Sequence, residues 1–338
     1  MAADNLAQSP FSLGKPVTKF LVVCQRDGNS CLLIRLSHAQ YDGFSFRSIL
    51  DAIRSAYSDE PLVSAPTLER FVQVSSEMSP NGQLTRKHWQ SMLAGARPTQ
   101  IVRCPGPIPA LPDRLFSLSI PVVSAGAAAA FTAANVLSAA WAMALARMSA
   151  CPDVLFGLVM SGRGDEDDLQ SAAAGPTMSY VPFRAKLQQS RSAWDLVAAT
   201  QQQFIDGLPF RHGPFFKPDS PIRPRQVFSS VLQFQNAQVG KAVYEVDIDL
   251  GRGVHAPRGV RSVGTEAFLG CADLFVLAEP DESSSVKITF SYASSALSDS
   301  IVRKMAEELE NAISIISDNK ASHEALVDFS GLDAVLPI

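Results

Sequence analysis

One short segment of the chain carries side chains that can move a proton. The sequence Ser37-His38-Ala39-Gln40-Tyr41-Asp42-Gly43 places a histidine, an aspartate and a glycine in the spacing HxxxDG. The ordinary pKa of histidine is about 6.5, which suits it to remove a proton from an attacking amine at neutral pH. Chance predicts roughly 0.02 such matches in a chain of this composition, so the spacing is moderately specific. His38 is therefore a candidate general base, and a hydrogen-bonded loop histidine without a catalytic role is the competing interpretation.

The motif lies between a predicted hairpin and a predicted helix. Two apolar runs, 19–24 and 31–36, flank the turn residues 27–29, a pattern typical of a β-hairpin. From Ser45 to Tyr57 the apolar residues recur at helical spacing, and Ser45 is the predicted N-cap. A histidine on a loop that rigid elements hold can face a substrate channel.

The rest of the chain alternates between predicted helices and strands, which favours an α/β fold. The helices are predicted over 67–77, 83–93, 132–148, 194–205 and from 298 or 299, and the strands over 154–160, 226–234, 274–278 and 286–292. Four prolines between Cys104 and Arg114 are typical of a stiff connector. We therefore predict two domains, residues 1–110 and 111–338.

Composition excludes several classes of protein. The net charge is −4, from 29 basic and 33 acidic residues mixed along the chain, so we expect no nucleic-acid partner. The longest apolar run, 125–150, is interrupted by Thr132, Asn135, Ser138 and Arg147, so we expect no membrane span. The first residues lack the pattern of a secretory signal, which favours a cytoplasmic protein. The 5 cysteines include no CxxC pair and predict reduced thiols rather than a zinc site.

The HxxxDG spacing resembles the signature of a superfamily that includes chloramphenicol acetyltransferase, plant-type acyltransferases and the condensation domains of nonribosomal peptide synthetases. The form SHAQYDGFS is most similar to the terminal condensation-like domains of fungal synthetases, in which a serine replaces the first of two paired histidines. Ser37 occupies that place. Further matching stretches follow in the family's order: HWQSMLAG (88–95), FGLVMSGR (156–163), GPTMSYVPFR (175–184), RHGPF (211–215) and VLQFQN (231–236). The resemblance covers residues 14 to 317.

This resemblance implies a particular α/β architecture. Two chloramphenicol-acetyltransferase-like lobes, each a sheet backed by helices, form a V with the HxxxDG loop at the cleft. In the family considerably more chain precedes the motif, whereas only 37 residues precede His38 here. We therefore expect an incomplete N-terminal lobe with an open sheet edge, which an oligomer contact or a partner chain would cover.

The resemblance also implies a reaction and its residues. A peptidyl carrier protein presents a peptidyl thioester on its phosphopantetheine arm, and an internal amine attacks the thioester to release a cyclised product. His38 is the implied base, although it could instead hydrogen-bond the tetrahedral intermediate or orient the acceptor. Asp42 is implied to be structural, with Arg163 as its candidate partner, and Gly43 to present a backbone N–H to the oxyanion. His212 resembles a position near the channel, and the chain needs no metal or cofactor of its own.

Two other functions stay open. A free-standing acyltransferase would use acyl-CoA or a carrier-bound acyl group with an alcohol or amine acceptor, but the DFGWG motif of the plant-type members is missing from the sequence. A catalytically silent domain would bind a carrier protein or complete the lobe of another chain. The presence of His38 and Asp42 argues against a silent domain, because such a domain has no chemical need for either residue.

Overall fold

The computed structural model divides the chain into two compact units that are interleaved along the sequence. The structure describes residues 18–24, 30–37, 40–62, 67–69, 71, 82–102, 110, 112–121, 131–163, 175–212, 228–235, 272–280, 285–318 and 334–336. The smaller unit comprises Met1–Ser75, Ser161–Met178 and Ala237–Glu266, and the larger unit comprises Ser76–Met160, Ser179–Asn236 and Ala267–Ile338. The larger unit thus begins ahead of the boundary expected near residue 110.

The larger unit begins early because the helix that follows residue 76 is bound into its core. This helix, α2 (Gly82–Leu93), contributes the buried Trp89, whose Nε1 donates to the carbonyl of Phe210 at 3.2 Å. The Arg184 guanidinium donates to the carbonyls of Met92 and Ala94 at 2.9 and 2.8 Å, and so holds the helix at its C-terminal end.

In the smaller unit, a hairpin leads into a helix. Strands β1 (Thr18–Cys24) and β2 (Ser30–Leu36) pair antiparallel, with Val22 opposite Leu32, which confirms the predicted hairpin. Helix α1 (Gly43–Tyr57) follows.

The prediction that Ser45 caps α1 is wrong. Asp42 is the N-cap, and its side chain accepts a hydrogen bond from the Ser45 N–H at 2.8 Å. The Ser45 hydroxyl in turn accepts from the Asp42 N–H at 2.8 Å, which completes a capping box. The helix therefore begins two residues before Ser45, and Ser45 is its third residue.

The larger unit is built on a six-stranded mixed sheet with the order β3-β8-β7-β6-β4-β5. The strands are β3 (Arg114–Pro121), β4 (Asp153–Met160), β5 (Ser179–Lys186), β6 (Ser230–Phe234), β7 (Leu274–Pro280) and β8 (Ser285–Tyr292). β4, β6 and β7 run parallel, and the other neighbouring pairs are antiparallel. The predicted strands that became β4, β7 and β8 are confirmed, and β6 is shorter than predicted.

Apolar helices and one sheet face form the main core of this unit. The helices are α3 (Ala133–Ser149), α4 (Ala193–Gly207) and α5 (Asp299–Ser317), close to their predicted bounds. Trp141 of α3 is fully buried near Phe290 of β8, with ring centroids 6.2 Å apart. Among the described residues, no helix is long and apolar enough to cross a membrane. The helix predicted over 67–77 lies mostly outside the described residues.

Two strands were not predicted, and both lie at edges of the sheet. Among the strands that the structure describes, β3 pairs only with β8, and β5 pairs only with β4. β3 ends at Pro121 and β5 contains Pro182. Proline cannot donate to a strand ladder, so it weakens the sequence signal for a strand, yet an edge strand tolerates it.

Candidate active site

The carboxylate of Asp42 joins three segments of the smaller unit. Its Oδ1 accepts from the Ser45 N–H at 2.8 Å and from Arg163 Nη2 at 2.9 Å. Its Oδ2 accepts from Arg163 Nη2 at 3.0 Å, from the Thr177 N–H at 3.1 Å and from Thr177 Oγ1 at 3.2 Å. The carboxylate thus fixes the end of the HxxxDG motif to the first turn of α1 and to two distant parts of the chain.

Arg163 also bonds to a residue 12 positions further along the chain. Its Nη2 donates to the carbonyl of Gly175 at 3.0 Å, so residues 163 and 175 are joined directly. The side chains of Arg163 and Asp42 are each only 6% exposed. A charge pair this well buried is costly to break by removing one member, because the remaining charge stays in a poorly solvated place.

The backbone at Gly175 requires glycine. Its φ is +152°, a conformation that residues with a Cβ rarely adopt. A Cβ at this position would also lie 3.0 Å from Cδ1 of Leu68. Gly175 thus lets the chain approach Leu68 while presenting its carbonyl to Arg163.

The Asp42 carboxyl is held in its ionised form. Burial by itself would raise its pKa, but the Ser45 N–H, the Arg163 guanidinium and the Thr177 N–H together hold the pKa below its ordinary value. A carboxylate with these bonds is a poor proton acceptor, so the geometry suits a structural role rather than base catalysis.

His38 and Ala39 lie outside the described residues, whereas Ser37 before them and Gln40 after them are described. The Gln40 N–H donates to the Ser37 carbonyl at 2.9 Å, and the Ser37 N–H donates to Gln40 Oε1 at 3.2 Å. Thr18 Oγ1 lies 3.1 Å from Gln40 Oε1 and 2.9 Å from Gln40 Nε2. Gln40, and Ser37 through it, are thus anchored to the start of β1.

Gly43 is the first residue of α1. The N–H groups in the first turn of a helix lack partners within the helix, and the positive end of the helix dipole is there. This backbone position is chemically suited to stabilise a developing negative charge.

His212 belongs to the larger unit. Its Nδ1 lies 3.1 Å from Ser179 Oγ, and the direction of the hydrogen bond depends on the imidazole tautomer. Within the described ranges, no group of three or more His, Cys, Asp or Glu side chains is arranged to bind a metal.

The structure brings together Asp42 and Arg163, which the sequence analysis paired. That analysis did not identify the contributions of Ser45, Gly175 and Thr177. The spacing of Asp42 and Ser45 is that of a capping box, which could have revealed the role of Ser45. Thr177 and Gly175 have no comparable local signal, because their partners are far away in the sequence.

Comparisons with known proteins agree with this fold. The family model described as "Condensation domain" matches residues 1–329. The nonribosomal peptide synthetase apmB of Penicillium brevicompactum is 30% identical over 282 residues, which cover 82% of this chain and 11% of apmB. Nonribosomal peptide synthetase 4 of Gibberella zeae is 29% identical over 307 residues, which cover 86% of this chain and 4% of that protein. The chain thus spans about a tenth or less of the length of these relatives.

A solved structure shares the fold. The first condensation domain of the calcium-dependent antibiotic synthetase, in complex with a substrate analogue, matches with a TM-score of 0.65 and 15% identity, covering 94% of this chain and 72% of that one. The predicted α/β fold of the condensation-domain type is confirmed. The chain belongs to the condensation-domain family.

Proposed function

We propose that this chain forms an amide bond from a peptidyl thioester carried by a peptidyl carrier protein, and that the attacking amine belongs to the same peptide. The product would be a cyclised peptide released from the carrier. The observation that supports this proposal best is the Asp42 network, because it fixes the motif at one end of the His38 segment. Membership of the condensation-domain family supports the acyl-transfer chemistry. The resemblance of SHAQYDGFS to terminal condensation-like domains supports the cyclising form.

The reaction has a balanced course that requires one proton carrier. The amine nitrogen attacks the thioester carbonyl carbon, a C–N bond forms, and the carbonyl oxygen becomes an oxyanion. His38 accepts the proton that the nitrogen loses. When the C–S bond breaks, the phosphopantetheine thiolate leaves and takes that proton, which yields an amide and a free thiol.

The residues around His38 have separate tasks in this proposal. Asp42, with its lowered pKa and filled hydrogen-bonding capacity, orients the motif and does not accept the proton. Gly43, at the N-terminus of α1, offers a backbone N–H to the oxyanion. The phosphopantetheine arm is part of the substrate.

The deciding experiment is mass-spectrometric turnover of a pantetheine-linked peptidyl thioester. Wild type should release a cyclic product that is one water lighter than the hydrolysed acid. His38→Ala should abolish this product while thermal unfolding stays nearly unchanged. His323→Ala, a histidine outside the motif, is the matched control and should behave as wild type.

The products distinguish the alternatives. Release of linear acid alone would argue against cyclisation, and product from an added amine only would favour intermolecular condensation. Activity within a few-fold of wild type in His38→Ala would remove His38 as the base. A folded wild type that binds the carrier without turnover would favour the silent domain.

A further inference from the structure

Gln40, the second of the three unspecified residues in the HxxxDG motif, makes four hydrogen-bonding contacts with Ser37 and Thr18. Its Oε1 lies within hydrogen-bonding distance of both the Ser37 N–H and the Thr18 hydroxyl, at 3.2 and 3.1 Å. Its Nε2 lies 2.9 Å from the same hydroxyl, and its backbone N–H donates to the Ser37 carbonyl at 2.9 Å. Gln40 is half-buried. One side chain therefore bridges Ser37 and Thr18.

The contacts of Gln40 lie at the start of the HxxxDG motif, next to the paired strands of the hairpin. Only two residues, His38 and Ala39, separate Ser37 from Gln40 in the sequence. Thr18 pairs with Leu36, the last residue of β2. The contacts of Gln40 with Ser37 and Thr18, called the clamp below, therefore join the start of the motif to the paired strands of the hairpin. The Asp42 network holds the other end of the motif. The two sets of bonds thus act on described residues at both ends of the motif, and rigid support of this kind is what a functional group on a loop requires.

We infer that Gln40 is a positioning residue, which together with Thr18 fixes Ser37 and Gln40, the described residues that flank the candidate base, and that the reaction slows when these bonds are lost. The inference rests on the proposed function, because it assigns Gln40 a part in that reaction. An amide is needed because the position requires an acceptor for the Ser37 N–H and a group that can both donate to and accept from a hydroxyl. Gln40 itself does not contact the reacting atoms.

The test compares Gln40→Met, which keeps the length of the side chain but removes its polar atoms, with Thr18→Val and the double variant. Gln40→Met should lower kcat by roughly 10- to 100-fold with KM unchanged, because misplacing a catalytic group costs rate rather than binding. Thr18→Val should have a smaller effect, since the Ser37 bond remains. The double variant should be no slower than Gln40→Met, because both bonds involve the same amide.

A matched control and a conservative variant separate positioning from stability. Gln201 is also half-buried, and its Oε1 accepts from Asn135 Nδ2 at 3.2 Å between α4 and α3. Gln201→Met should lower the melting temperature about as much as Gln40→Met without changing kcat. Gln40→Glu keeps an acceptor for the Ser37 N–H and the Thr18 hydroxyl but loses the Nε2 donor, so its kcat should lie between those of Gln40→Met and wild type.

A second measurement does not depend on turnover. Amide hydrogen exchange at Ser37 and Gln40 should accelerate in Gln40→Met and stay unchanged in Gln201→Met. Unchanged exchange at these amides would overturn the inference, and so would a fall in kcat equal to that of the control. A wild type without turnover would refute the proposed function, and the exchange result alone would then decide whether the clamp exists.

Discussion

Asp42 performs two tasks with one carboxylate, and its replacement should be correspondingly severe. It caps α1 through Ser45, and it balances the charge of the buried Arg163. Asp42→Asn should lower the free energy of unfolding by about 3–5 kcal/mol, because Arg163 loses its counter-charge in a poorly solvated place. Urea unfolding with fixed m-value would measure this change. Asp51→Asn is the matched control on the same helix, since Asp51 pairs with Arg54 at 3.7 Å with both side chains about half exposed, and its effect should be small.

The lowered pKa of Asp42 predicts how the difference in unfolding free energy between wild type and Asp42→Asn changes with pH. The folded-state pKa of Asp42 lies below its ordinary value, so the folded protein binds fewer protons here than the unfolded chain does. The stability from ionised Asp42 is therefore complete above the unfolded pKa of about 3.9 and is lost as the pH falls through the folded pKa. The gap between wild type and Asp42→Asn should be constant from pH 7 to about pH 5 and narrow below about pH 4. A gap that widens on acidification would contradict the assignment.

Sequence reasoning reached only part of this residue-level arrangement. The Asp42–Arg163 contact was expected from the family motif, although the two residues are 121 positions apart. Gln40 bonds to Thr18, 22 positions away, and Thr177 bonds to Asp42, 135 positions away. No local sequence pattern predicts hydrogen bonds over such separations. Such partners depend on the packing of whole elements, which a residue's immediate sequence does not encode.

At the scale of elements, the segment that begins at Gly175 depends on the positive φ of this glycine and on its close approach to Leu68. Gly175→Ala would combine strain at φ +152° with a Cβ 3.0 Å from Leu68, and we expect a loss of about 2–4 kcal/mol in the free energy of unfolding. Gly95→Ala is the control, because Gly95 also has a positive φ, +69°, but a Cβ there would have no heavy atom within 4 Å. That variant should lose only about 1 kcal/mol. Equal losses in the two variants would show that contact with Leu68 contributes nothing.

The elements differ in how clearly the sequence predicts them. α3 and β4 carry long apolar runs and were predicted within one or two residues. β3 and β5 were missed because an edge strand has only one neighbour, tolerates proline and can expose alternate side chains, as β3 does. The start of α1 was misplaced because Ser45 is also a good N-cap residue, and only the reciprocal bonds with Asp42 decide between the two positions.

At the scale of the whole molecule, one cluster of apolar side chains is exposed among the described residues. Phe20, Val22 and Leu32 lie on the same face of the hairpin and are 65%, 60% and 45% exposed. In the register of the two strands Val22 is opposite Leu32, and Phe20 is opposite Ile34, so the exposed side chains form a contiguous patch. Contiguous apolar surface of this kind favours association, since burying a Phe or Val side chain stabilises a complex by about 1.5–3 kcal/mol.

We therefore expect this face to pair with a second copy of the chain. The mass of the wild type in light scattering should rise with concentration toward that of a dimer. The double variant Phe20→Thr with Val22→Thr places β-branched threonine, a good strand former, at both positions, so the hairpin should stay folded while association weakens at least several-fold. Leu115→Thr is the control, because Leu115 is 71% exposed on β3 of the other unit and its replacement should leave association unchanged. Association of equal strength in the double variant, with an unchanged circular dichroism spectrum, would place the contact elsewhere on the molecule.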